Sequence, residues 1–130
     1  MPIEPGLTNE ITHIVAESDT AAVYGSGLAP VLSTPHLVAL MENAARTALT
    51  PYLESGQSTV GTGIDIRHLA ATPVGIAVRI RAEVTEVALP RVCFRVEAWD
   101  AVEKIGEGHH ERFIVDTARF MARVTRKQGA

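Results

Sequence analysis

The chain has 130 residues, a formal net charge of −3, and 46% hydrophobic against 21% charged side chains. That length suits one domain spanning residues 1–130 with a sizeable core, and the acidic balance leaves no basic footprint for nucleic acid. The lone Cys93 excludes an internal disulfide and a Cys-rich zinc site and fits a reducing cytoplasm, and no apolar run nears the roughly 20 residues needed to cross a membrane.

Residues 1–7 carry two prolines and a glycine and are expected to form a loose arm, without the basic-then-apolar pattern of a secretory signal. Thr8–Ala16 alternates around Ile11 and reads as a first strand. Ala21–Tyr24 is expected to be a short strand, broken by Gly25, Ser26 and Gly27.

The one clear long helix follows. Thr34 before Pro35 reads as a hydroxyl N-cap with proline at the first helical position. Leu37, Val38, Leu40, Met41, Ala44, Ala45, Ala48, Leu49 and Tyr52 then share one half of the helical wheel, and the helix should end near Leu53. Glu42 lies at the border of that apolar face. It is either a solvated rim residue or a partly desolvated carboxylate suited to acid–base work.

Beyond the helix the pattern turns to β. In Val60–Ala70, Val60, Thr62, Ile64, Ile66, His68 and Ala70 share one parity, which puts His68 on the apolar face. A turn at Thr72–Gly75 leads to a half-buried strand over Ile76–Thr85, then Leu89–Pro90, then a strand over Arg91–Trp99. Lys104–Asp116 reads as a strand of ambiguous face, and Ala118–Val124 as a further strand after a bulge. The tail Arg126–Ala130 is expected to fray. Strand, long helix, then four or more tightly connected strands imply an α+β fold: a central helix wrapped by a curved antiparallel sheet of five or six strands. This is the hotdog layout, which pairs sheets edge to edge, so a homodimer is expected.

Thr34, Glu42 and His68 supply the hydroxyl, carboxylate and imidazole that acyl transfer requires. Each has a plainer reading: Thr34 as a cap, Glu42 as a rim charge, His68 as a hydrogen-bonded core histidine. His109, His110 and Glu111 suggest a metal, but adjacent strand residues face opposite sides, so no metal site is expected there. Gly61-Thr62-Gly63 is either a bulge or a close backbone approach to a ligand.

The runs LMENAARTALTPYLESG, VGTGIDIRHLAATPVG and KIGEGHHERFIV resemble the fluoroacetyl-CoA thioesterase family of hotdog proteins over about Thr34 to Val124. The resemblance implies a catalytic set of Thr34, Glu42 and His68, with Gly61 and Arg112 at the substrate. It implies an acyl-CoA substrate, with coenzyme A as part of that substrate and no other cofactor. The family's lid phenylalanines have no counterpart in Ser18–Ser33, whose apolar candidates are Tyr24, Leu28 and Val31. The expected activity is therefore hydrolysis of a short acyl-CoA. The alternatives are a hotdog enoyl-CoA hydratase, or a binding protein that holds acyl-CoA or a small ligand without turnover.

Overall fold

The computed structural model describes residues 2–129. Its sheet has five strands, β1 (Thr8–Ile14), β2 (Gln57–His68), β3 (Ala77–Ala88), β4 (Arg91–Trp99) and β5 (Lys104–Asp116). They lie in the order β1-β3-β4-β5-β2, every pairing antiparallel. Three helices accompany it: α1 (Ala21–Tyr24), α2 (Thr34–Leu49) and α3 (Thr117–Thr125). Alternation in β3 buries Val78, Ile80, Ala82 and Val84, and in β4 Val92, Phe94, Val96 and Ala98. Leu37, Leu40, Met41, Ala44, Ala45, Ala48 and Leu49 of α2 close over them. Three alanines at the contact let the helix axis come near the sheet. Helix α2 touches all five strands. Four interstrand gaps of about 4.8 Å exceed the reach of one helix about 10 Å wide, so the sheet must curve around it.

Several expectations need correction. Ala21–Tyr24 is one helical turn and not a strand, capped by the Thr20 hydroxyl and ended by Gly25 in the left-handed conformation. Thr117–Thr125 is also helical, so the sheet stops at five strands. The Asp116 carboxylate accepts from the Arg119 N–H at 2.9 Å, and the good helix formers Ala118, Arg119, Met121, Ala122 and Arg123 follow. Their period-two alternation was coincidental, because Phe120 alone among the four residues 118, 120, 122 and 124 is even half-buried. The N-terminal arm is pinned: Gly6 and Leu7 exchange backbone hydrogen bonds with Val84, and Ile3 and Leu7 pack on the core. In the tail, Arg126–Gln128 close a 3-10 turn, while Ala130, like Met1, lies outside the described residues. No helix among the described residues is long and apolar enough to cross a membrane.

Candidate active site

The local geometry of β2 decides what faces the helix. Its pairing with β5 slips between Gly61 and Gly63, so Thr62 is an extra residue on the β2 side. Such a bulge reverses the parity of the strand. Beyond it Ile64, Ile66 and His68 point toward α2, as the alternation predicts, and Ile64, Ile66 and Ala70 pack on the core. Before it the inward parity is that of Thr59 and Gly61, which face buried Arg112 and Glu42. Val60 and Thr62 therefore do not share the face of His68. Thr62 is exposed, with its hydroxyl 2.7 Å from Glu111 Oε1.

Thr34 is not the N-cap. Ser33 is: its hydroxyl accepts the His36 N–H at 3.1 Å, Thr34 is the first helical residue and Pro35 the second. This division of labour frees the Thr34 hydroxyl, which lies 2.8 Å from Nδ1 of His68. Burial holds His68 below its usual value of 6.5, with the Ala70 backbone partly opposing, so the imidazole is neutral at neutral pH. The Thr34 O–H can then donate to Nδ1, leaving the proton on Nε2. That atom is buried and has no hydrogen-bond partner among the described residues. An unpaired buried donor costs about 1–3 kcal/mol, which is tolerable where a substrate atom supplies the acceptor. Beside the pair opens a cavity of about 490 Å3, walled by Ala21, Ser26, Val31, Leu32, Thr34 and His68. A hollow of about 480 Å3 on the outer sheet face, between Asp65, Arg67, Arg95 and Lys104, is lined mainly by charged side chains and holds no such pair.

Glu42 stands two helical turns further on, at a second cluster. Its side chain is 42% exposed, and one oxygen lies 3.8 Å from NH1 of Arg112, whose side chain is only 6% exposed. Arg112 is thus a buried guanidinium and not a surface ion pair. Its Nε donates to Thr59 Oγ1 at 2.9 Å, NH2 to the Thr59 carbonyl at 3.1 Å, and NH1 meets His110 Nε2 at 3.2 Å. An arginine can only donate, so His110 Nε2 accepts, and its Nδ1–H donates to the Gly63 carbonyl at 2.8 Å. Burial, with Arg112 beside it, keeps His110 below its usual value and neutral. A Cβ at Gly61 would stand 2.6 Å from Glu42 Oε2 and 3.3 Å from Arg112 NH1, so only glycine leaves that carboxylate its position.

The five sequence-derived residues thus fall into two groups: Thr34 with His68, and Glu42 with Gly61 and Arg112. Eight residues separate Thr34 from Glu42, about 12 Å along the helix axis, so one chain does not bring the carboxylate to the hydroxyl–imidazole pair. Sequence reasoning missed Thr59 and His110 as the supports of Arg112. Their signal was the shared parity of His110 and Arg112 in β5, which is the buried one. His109 faces the opposite side and is exposed, as expected.

Residues 15–118 match the family described as FlK, fluoroacetyl-CoA-specific thioesterase. The chain is 39% identical over 120 residues to the fluoroacetyl-CoA thioesterase of Streptantibioticus cattleyicolor, covering 92% of this chain and 84% of that one. Among solved structures, one of the fluoroacetyl-CoA thioesterase FlK superposes with a TM-score of 0.93 at 34% identity, covering 98% of each chain. A Thermus thermophilus hypothetical protein, a thioesterase superfamily member, superposes with a TM-score of 0.92 at 32% identity, covering 98% of this chain and 95% of that one.

Proposed function

The chain belongs to the fluoroacetyl-CoA-specific thioesterase family of hotdog proteins, and from that membership we propose that it hydrolyses a short acyl-CoA to the free acid and CoA at a site built by two copies of the chain. The observation that carries the reading is the 2.8 Å contact between Thr34 Oγ1 and a neutral His68 at the wall of a cavity. A hydroxyl against an imidazole base is the arrangement of an activated nucleophile.

His68 Nδ1 takes the Thr34 proton as the hydroxyl oxygen attacks the thioester carbonyl carbon. The imidazolium then returns a proton to the departing CoA sulfur, a good leaving group that needs little help. Water, deprotonated by the same imidazole, attacks the Thr34 ester carbonyl, and the imidazolium returns that proton to the departing Thr34 Oγ1 as the free acid leaves. Glu42, held by Arg112, faces the acyl group and orients that water, and the Gly61 backbone lies against the acyl carbonyl. Hydrolysis by this route needs no cofactor beyond the CoA of the substrate. Ala21, Ser26 and Val31, not aromatic side chains, border the cavity, so no phenylalanine lid favours a fluorinated acyl group.

The second copy solves the separation of the two groups. β2 is an edge strand with twelve residues unpaired on one side, and a free edge of that length pairs readily with another. With Thr62 skipped as the bulge residue, a two-fold axis at Asp65 sets Ile64 opposite the second copy's Ile66 and Gly61 opposite its His68. Glu42, beside Gly61, then enters the site of the other copy's Thr34 and His68. The single cysteine and the CoA substrate support a cytoplasmic location.

The test is release of free thiol from a panel of short acyl-CoAs, acetyl and fluoroacetyl included, as a function of pH. Because the base must be neutral and burial lowers its pKa, activity should fall only on acidification, through one ionisation below 6.5, and stay level through neutral pH. Absence of thiol release from every member, or an acid limb with its midpoint above 6.5, contradicts the reading.

A further inference from the structure

Behind the wall of the thioester site, three ligand-type side chains from separate parts of the chain converge. His13 leaves β1, Asp19 ends the 3-10 turn Glu17–Asp19, and His36 lies in the first turn of α2. His13 Nε2 is 2.6 Å from Asp19 Oδ2, and His36 Nε2 is 3.2 Å from Oδ1. All three candidate donor atoms lie within 4.8 Å of one another. Asp19 is 4% exposed, and the two imidazoles are half-buried.

We propose that His13, Asp19 and His36 bind one divalent metal ion of borderline softness, with zinc as the type case. Two imidazoles and one carboxylate are the donor set such ions take, with a fourth position left to water. Metal–ligand bonds of about 2.0–2.2 Å around a tetrahedral ion set its ligand atoms about 3.3 Å apart. The His36 Nε2–Asp19 Oδ1 contact already has that spacing, and ligation through Oδ1 draws His13 Nε2 off the other oxygen, Oδ2, with all three ligand atoms starting within 4.8 Å of one another. The outer contacts are in place as well. Asp19 Oδ2 accepts the Ala16 N–H at 2.8 Å, and the Asp19 carbonyl accepts the Ser33 N–H at 2.9 Å, which fixes the carboxylate. His36 Nδ1 lies 2.7 Å from the Tyr24 hydroxyl. A phenol both donates and accepts, so it can take the Nδ1 proton that ligation through Nε2 leaves behind.

The ion would tie β1, the 3-10 turn and the start of α2 into one unit. The chain from Thr20 to Leu32, itself closed by a bridge between those two residues, runs from this cluster along the cavity wall beside Thr34. The metal therefore clamps that wall and takes no part in hydrolysis. Sequence reading passed over it because residues 13, 19 and 36 share no motif spacing.

The experiment uses protein without a polyhistidine tag, stripped with chelator and dialysed. Titration with Zn2+ should show saturable uptake of one ion per chain and raise the melting temperature by about 5 °C or more. Co2+ should give the visible bands of a four-coordinate site. Long-range 15N spectra of the native chain should show the His13 and His36 imidazoles moving on Zn2+ addition while those of His109 and His110 stay put. His13→Gln with His36→Gln should abolish uptake, and His109→Gln should not. Lack of saturable uptake by the native protein overturns the proposal. So does unchanged uptake in the folded double variant or, if that variant does not fold, shifts confined to other histidines in the native spectra.

Discussion

His68→Ala is expected to lower kcat/KM for acyl-CoA hydrolysis by ~10²–10⁴-fold while leaving the fold nearly as stable as before. The change removes the only side-chain proton acceptor among the described residues within hydrogen-bond distance of the Thr34 hydroxyl. On the stability side it deletes one partly exposed hydrogen bond and also a buried Nε2 that has no partner. Losing an unsatisfied polar atom offsets part of the lost contact, so the melting temperature should move by only a few degrees. Steady-state thiol release and a thermal melt on the same preparation give both numbers. Retention of more than about a tenth of the native kcat/KM would exclude His68 as the base, since removing a general base costs at least ~10²-fold.

Gly108→Ala carries the largest expected cost to stability. Gly108 pairs with Ile66 across the β2–β5 ladder. A Cβ there would stand 2.1 Å from the Asp65 carbonyl oxygen and 2.6 Å from Ile66 Cα. Both are backbone atoms, so no side chain can rotate away, and the two strands must part just where β2 carries His68. Overpacking of this kind costs about 3 kcal/mol or more, which for a chain of this size lowers the melting temperature by about 10 °C or more. Gly27→Ala is the control, because its Cβ would meet only Ala21 Cβ at an ordinary 3.5 Å. Equal melting temperatures for the two variants would show that the strand pair yields where the geometry says it cannot.

Sequence patterns revealed most of the fold and only part of the site, and the boundary between the two has physical causes. Helix α2 was legible because an apolar stripe sixteen residues long has no strand equivalent. The inward face of His68 was legible from its parity with Ile64 and Ile66. The bulge at Gly61–Gly63 was not, because a strand's periodicity does not record a slip in the partner's register. Helix α3 misled because small residues alternating by two fit a strand as well as an exposed helix, and only the Asp116 cap separates them. At the site, resemblance pointed to Thr34, Glu42, His68, Gly61 and Arg112 together, and the structure divides them between two places in the chain. Thr34 also looked like the cap because its hydroxyl precedes a proline. One position upstream, Ser33 does that work, leaving Thr34 to its histidine.

The division of the site between two copies is what the account most depends on, and mixed dimers test it directly. Glu42→Gln and His68→Ala would be made separately, each nearly inactive as a pure protein, then co-expressed with two different removable tags and the doubly tagged species isolated. If each site takes Glu42 from one copy and His68 from the other, one site in the mixed dimer carries both lesions and the other carries none. By two-fold symmetry the mixed dimer should then show about half the native activity per dimer. A mixed dimer no more active than its parents, or a failure of the two chains to associate at all, would contradict the account.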